Sequence, residues 1–361
     1  MAFTTDAALL GAAGAGGGGP AKSSYIAVGH DTSPYISVYP WDVTTGFGTK
    51  FSNPATLPTG NCYGVCWSPD SKVLVTLSST NPYVRAYPFS AAGFGTAYSN
   101  PAVLPRATSE SSYTPSFSKL GTAVAFPMFF NTPYVIAYSW DNSTGFGAKY
   151  ADPAVALPSH GKSVDFHPNN DAIAVTHYGS PYISAYAWSE STGFGTKYSN
   201  PAVLPGSTGQ GVRFSSTGGA VVTTTVSGTR ILAYAWDSST GFGSKYADPS
   251  PLGSSNGGGI SFSPAGDFFS YVYGNAPRVY VYLWSDATGF GTRYQPATYP
   301  TSTSADTSVS ADGLAVSNVA ATSGNRPWAW PFDPATGFGT AYSAPSIAPT
   351  GVGRSVAFSP T

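Results

Sequence analysis

Gly-Phe-Gly occurs seven times in this chain, starting at Gly46, Gly93, Gly145, Gly193, Gly241, Gly289 and Gly337. The intervals are 47, 52, 48, 48, 48 and 48 residues. A period this regular marks a repeat architecture, in which each unit buries its apolar face against its neighbours. A single copy, such as Gly193-Phe194-Gly195-Thr196-Lys197, could pass for a phosphate-cradling loop. That reading fails on chemistry. A phosphate loop needs a longer glycine spacing and a following helix whose amides meet the anion. Here the lysine becomes Ala97 and Ala341 in two copies. The motif reads instead as a turn, with glycine accepting a positive φ and the phenylalanine packing inward.

Each unit divides into four short strands. In the fourth unit, 162–168 alternates and ends in a turn, and 171–179 is a second apolar run. Residues 181–188 place Tyr, Ser, Tyr and Trp against Ile and Ala on opposite faces, and 195–205 is polar and carries prolines. Proline is tolerated on edge strands and not on central ones, so the last segment is expected outermost. Aromatic and β-branched content, Gly/Pro breaks and the lack of a helical period all argue for strands. The ends make the reading sharper. Residues 353–361, GRSVAFSPT, match a first strand such as 259–265, whereas 23–41 begins at a second strand. The prediction is an all-β, seven-bladed β-propeller of four-stranded blades over 23–361. Its first blade is closed by the C-terminal strand, and a short Ala/Gly-rich N-terminal arm covers 1–22.

Composition excludes several functions. Charged residues are 9% of the chain, against roughly 25% in an average soluble protein. The 16 Lys and Arg are scattered, leaving no footprint for nucleic acid. No apolar stretch approaches the roughly 20 residues of a membrane-spanning helix, so no membrane insertion is expected. The segment before Lys22 has no basic residue and is broken by Gly11, unlike a secretory signal. Cys62 and Cys66 would lie about 13 Å apart on an extended strand, too far for a disulfide.

Trp41-Asp42, Trp140-Asp141 and Trp236-Asp237, with the turns at Ser68-Pro69 and Ser263-Pro264, resemble the WD-repeat family of propellers. The cassette GFGTKYSNPAVLP, joined to SPYI and FSP, resembles repeat proteins of tailed-bacteriophage virions. That second resemblance implies a non-enzymatic structural or interaction protein of a tail, fibre or capsid, assembled in the host cytoplasm. It would bind other virion proteins through the arm at 1–22, with Phe3, Leu9 and Leu10 as contacts, and hold the propeller outward. The alternative is a carbohydrate-binding adhesin or receptor-binding propeller that meets a host surface glycan or receptor. Its ligand face would carry Tyr35, Tyr83, Tyr134 and Tyr182, with Tyr113 in the longest loop.

No catalytic, cofactor or metal site is expected. His160, His167 and His177 share one repeat but fall in separate elements, without a thiol or carboxylate at zinc-ligand spacing. A propeller hydrolase needs perturbed acids in a polar axial pocket, and 17 Asp and Glu in 361 residues argue against one. Asp165 and Arg213 do break the pattern at a first-strand position held elsewhere by Cys66, Ser116, Ser261, Ser308 and Ala357. They are expected to form a structural pair between adjacent blades, since an unpaired buried charge is costly.

Overall fold

The computed structural model describes residues 24–106, 114–250, 255–320 and 326–361. These form seven four-stranded antiparallel sheets. Each sheet is a blade. In blade four the strands run outward as Gly161–Phe166, Ala172–His177, Ile183–Ser189 and Gly193–Lys197. Blade one takes its innermost strand, Gly353–Phe358, from the far end of the chain and pairs it with Ser24–His30. The predicted propeller and its split blade are therefore present. Phe3, Leu9 and Leu10 lie outside the described residues.

The outermost strand is shorter than the sequence reading had it. It ends at Lys197 in blade four, and in blade one it is only Gly46–Phe47. The proline-bearing segment that follows is instead the crossover to the next blade. A ladder residue in the third strand of that next blade holds it. Tyr39, Tyr186 and Tyr234 each donate a hydroxyl hydrogen bond of 2.8 Å to the carbonyls of Ile347, Val155 and Val203. Tyr87 reaches Thr56 at 2.9 Å, and Trp330 Nε1 reaches Thr298 at 2.9 Å.

Blades join through one recurring aromatic contact. The tyrosine just past the outer strand lays its ring on the tryptophan that ends the third strand of the next blade. Centroid distances are 5.0 Å for Tyr150–Trp188, 5.0 Å for Tyr198–Trp236 and 4.9 Å for Tyr342–Trp41, all edge-on. Edge-to-face pairs of this kind contribute about 0.5–1.5 kcal/mol beyond their buried area. The phenylalanine of the same blade's Gly-Phe-Gly closes the cluster, with Phe194 5.2 Å from Trp188. The first glycine of the motif is required twice over. Gly193 has φ +79°, and a Cβ there would sit 2.7 Å from the Cβ of Tyr150. The tyrosine hydroxyl then reaches past the glycine turn, so that Tyr150 donates to the Glu190 carbonyl at 2.7 Å.

Polar residues of the repeat hold their own turns. Asp42 Oδ1 accepts the N–H groups of Thr44 and Thr45, both at 2.9 Å, and Asp237 repeats this with Ser239 and Thr240. Ser68 Oγ accepts the Val73 N–H at 3.0 Å across the first-to-second-strand turn. The same serine in the last repeat seals the ring: Ser359 Oγ accepts the Tyr25 N–H at 2.9 Å. His30 and His177 occupy equivalent buried sites and meet Ser37 and Ser184 at 3.2 and 3.0 Å. Burial lowers both imidazoles to about 4.

Two outcomes follow. Gly193→Ala should lose about 1–3 kcal/mol in denaturant unfolding, the range for a residue held in a disfavoured backbone region. Gly206→Ala, where a Cβ meets nothing within 4 Å, should change stability far less. The histidines make stability fall with acid. The unfolded chain takes up their protons near 6.5 while the folded state resists until about 4. Stability present above pH 6.5 is thus lost as pH falls through that window, by up to about 3 kcal/mol for each histidine. Thermal unfolding of the His30→Gln, His177→Gln double variant across that range should show a flatter curve.

Candidate functional site

The innermost strands stand around the axis and present one edge to it. A strand edge carries backbone N–H groups that need acceptors. Here they are met by side chains of the preceding blade. Ser261 Oγ accepts the Val309 N–H and Ser308 Oγ accepts the Phe358 N–H, both at 3.0 Å. Ser163 accepts from Val212 at 3.3 Å and Ser355 from Val65 at 3.2 Å. A ring of small hydroxyls therefore replaces a missing strand partner. Serine supplies all four of these caps in a chain with few charges.

Where the ring departs from serine, charges collect. A cavity of about 440 Å³ opens at the axis on the side of the first-to-second-strand turns, and it is lined by Lys119, Asp165, Arg213 and Asp306. Asp165 Oδ2 accepts the Phe214 N–H at 2.9 Å, and its Oδ1 accepts from Ser116 Oγ at 3.3 Å and lies 3.9 Å from Lys119 Nζ. Arg213 Nη1 donates to the Val212 carbonyl at 2.7 Å and to Ser163 Oγ at 3.4 Å. The expected Asp165–Arg213 ion pair does not form. The two residues share a junction, but the carboxylate takes a backbone amide and leaves the guanidinium to a carbonyl and a serine.

Asp306 is buried, at 4% exposed, as is Asp165 at 3%. Its Oδ2 accepts from Ser355 Oγ at 2.8 Å and from the Val356 N–H at 3.1 Å, and its Oδ1 from the Thr307 N–H at 2.9 Å. Burial raises its pKa above the ordinary 3.8, against the opposing pull of these donors and of the Arg213 charge. Sequence reasoning missed Asp306 and Lys119. Both carried a signal. The Asp306 position holds Gly64, Thr114, Ser163, Gly211, Gly259 and Ser355 in the other repeats. At the Lys119 position stand Pro69, Pro168, Ser216, Pro264, Ala311 and Pro360. Comparison of a single register position overlooks both.

The tyrosines singled out as a ligand face lie elsewhere. Tyr35, Tyr83, Tyr134 and Tyr182 are half-buried in the second-to-third-strand turns, with φ between 66° and 68°. Each precedes its strand by one residue, as Tyr182 does Ile183–Ser189. Tyr134 packs toward His160, 5.4 Å away, which itself lies 3.9 Å from the Phe129 ring. His167 meets Asp171 at 2.6 Å and the Gly218 carbonyl at 3.0 Å. The three histidines of this repeat thus have separate partners. Tyr113 lies outside the described residues.

No protein-family model and no curated protein sequence matches the chain. Solved structures do match its fold. A protein from Lactobacillus plantarum superposes with a TM-score of 0.71 at 15% identity, covering 93% of this chain and 99% of its own. The periplasmic gluconolactonase PpgL of Pseudomonas aeruginosa does so with a TM-score of 0.66 at 16% identity, over 93% and 99%. A Bacteroides fragilis protein provisionally assigned as a 6-phosphogluconolactonase gives 0.68 at 14% identity, over 93% and 98%. At these identities the likeness is one of fold.

The matches nevertheless overturn the expectation of a non-enzymatic virion protein or adhesin. None of these three is described as a virion component, and two are described by lactone chemistry. The physical reason for the misreading lies at the axis. Acids are scarce in the chain as a whole, yet two sit together in the axial cavity with two cations. A low average said nothing about where the few charges gather.

Cys66 lines this cavity and Cys62 is buried; both are free thiols. Burial pushes Cys62 up to about 12 and raises Cys66 too, although the Arg213 charge opposes the latter. Neither forms thiolate at neutral pH. Iodoacetamide at pH 8 should therefore leave both unmodified in the folded protein and label both after unfolding, as intact-mass measurement would register.

Proposed function

We propose that this propeller is a hydrolase that opens a cyclic sugar ester, a sugar lactone, in the axial cavity. One observation carries the reading. Asp306, a buried carboxyl with a raised pKa, shares the cavity with the cationic Arg213 and Lys119. Perturbed acids in a cleft beside opposite charge are the usual setting of acid–base chemistry. The axial hydroxyls suit a polyhydroxylated substrate. The lactone chemistry of two fold relatives supports the substrate class.

The chemistry balances with water alone. Asp306 takes a proton from a water whose oxygen attacks the lactone carbonyl carbon. The carbonyl electron pair moves onto oxygen, and the developing charge is stabilised by the cationic wall. Collapse of this adduct breaks the ring C–O bond. The ring oxygen leaves as a hydroxyl with the proton that Asp306 returns, and the product is an open-chain hydroxy acid. A base with a raised pKa is the better proton acceptor near neutral pH.

The test is hydrolysis of glucono-δ-lactone followed by pH-stat, against its spontaneous rate. The protein should accelerate hydrolysis, and kcat/KM should rise with pH through an apparent value above the ordinary carboxylate 3.8, because the ionised form is the base. Asp306→Asn keeps the shape and should lose about 10²–10⁴-fold, the range of general-base catalysis. Near-ultraviolet circular dichroism would verify its fold. A wild-type rate equal to the spontaneous one across several aldonolactones would sink the proposal. So would full activity of the Asn variant.

A further inference from the structure

The ring of capped amides around the axis is broken most completely between blades five and six. Blade five's innermost strand, Gly209–Phe214, carries Arg213 where its neighbours carry a cap. The corresponding residues Asp165, Ser261 and Ser308 accept the N–H groups of Phe214, Val309 and Phe358 respectively. By the same register, the N–H of Phe262 on blade six's innermost strand, Gly257–Phe262, turns toward Arg213. Arg213 has no acceptor to offer it. Through Nη1 its guanidinium donates to Ser163 and to the Val212 carbonyl.

The next level of this seam is also without a cap, because Gly211 has no side chain. There the strands close up: a Cβ on Gly211 would lie 2.7 Å from the Gly258 carbonyl. The Phe262 level is more exposed. Phe262 is half-buried and lines the cavity, whereas its counterparts Phe117, Phe214 and Phe358 are 4%, 4% and 5% exposed. Other seams lapse differently. Ala357 cannot cap Trp67, but Trp67 is 5% exposed and its Nε1 donates to the Ala357 carbonyl at 3.1 Å. Cys66 precedes Phe117, which is likewise buried. Only at the five–six seam do an uncapped amide, a half-buried aromatic at that level and a cavity-lining cation coincide among the described residues.

A backbone N–H and a guanidinium that line one cavity are a donor set for a negatively charged oxygen. We propose that Phe262 N–H and Arg213 form an anion subsite of the axial cavity. On the hydrolase reading, on which its catalytic meaning rests, it would receive the carbonyl oxygen as that oxygen becomes negative, and afterwards the carboxylate of the hydroxy-acid product. Arg213 is positioned for this by Ser163, whose hydroxyl also caps the Val212 N–H. The seam thus gives up one backbone cap and gains a place for a ligand oxygen.

Amide NMR of the whole protein tests the subsite without relying on turnover. Sodium gluconate titrated into wild type should move the Phe262 amide resonance, saturating in the millimolar range, with Val309 and Phe358 amides still. Arg213→Ser installs the ring's own residue, so it should fold, cap the Phe262 amide and weaken gluconate at least tenfold. Arg213→Lys keeps the charge without the planar fork and should bind with intermediate affinity; it also serves if the serine variant proves unstable. An unmoved Phe262 amide at saturating gluconate would overturn the subsite, as would wild-type affinity in both variants. The two readings separate cleanly. Lactone hydrolysis with a silent Phe262 amide removes the subsite alone, and a responsive amide without hydrolysis removes the reaction alone.

Discussion

Seven edge-on tyrosine or phenylalanine contacts between neighbouring blades carry the geometry of this ring. Each blade offers an aromatic past its outer strand, and the next blade receives it against the glycine of Gly-Phe-Gly. The receiving glycine cannot be replaced by a larger residue without pushing on that ring, as Gly193 and Tyr150 show. Spacing and conformation are thereby tied together. The positive φ turns the chain, and the absent Cβ lets the neighbour in. Two seams use phenylalanine in place of the tryptophan: Phe51 packs 5.1 Å from Phe89 and rests on Gly93, and Tyr294 lies 5.7 Å from Phe332. The outer rim and the axis obey the same rule. In both places a residue of one blade completes its neighbour, by ring packing outside and by hydroxyl caps inside.

Periodicity made the fold legible. Seven copies of one motif, four strands in each, and ends that match different strands of the same unit leave little besides a closed ring. What the sequence concealed lay in the register between blades. The proline-bearing segment looks like an outer strand because it is polar and extended, yet most of it is crossover pinned by a tyrosine hydroxyl from the next blade. Such a hydrogen bond spans 31 residues between Tyr186 and Val155 and leaves no local mark. Tyr35 and its repeats alternate with Tyr39 as strand residues would, but they sit in turns with positive φ.

The axial site shows the opposite failure. Its residues are visible in the sequence, since Asp306 and Lys119 each break a column of small residues or prolines. Their meaning is not visible, because it comes from convergence of strands that are up to about two hundred residues apart. Asp165 and Arg213 stood out as the likewise irregular pair, and adjacency of their strands made a salt bridge reasonable. The structure resolves the competition in favour of backbone. The carboxylate answers the Phe214 amide on the neighbouring edge, an unmet N–H of the kind that costs about 1–3 kcal/mol when buried. Average composition is a poor guide in such a fold. A ring concentrates one residue per blade at its centre, so a handful of charges can define the chemistry of the whole.

The split blade has a consequence for how the protein is made. Ser24–His30 is paired on one side by Ile36–Asp42, but its inner edge waits for Gly353–Phe358. The sealing hydrogen bonds between Tyr25 and Ser359 join residues 334 apart. On a ribosome, blades two to seven can form in order behind the first, each docking on the aromatic ring already presented. Throughout that time blade one keeps an open strand edge facing the axis, of the sort that recruits stray strands. Closure waits for the last strand, with the loop entropy of nearly the whole chain set against it. Synthesis direction therefore assigns the blades different histories, although the finished ring treats them alike.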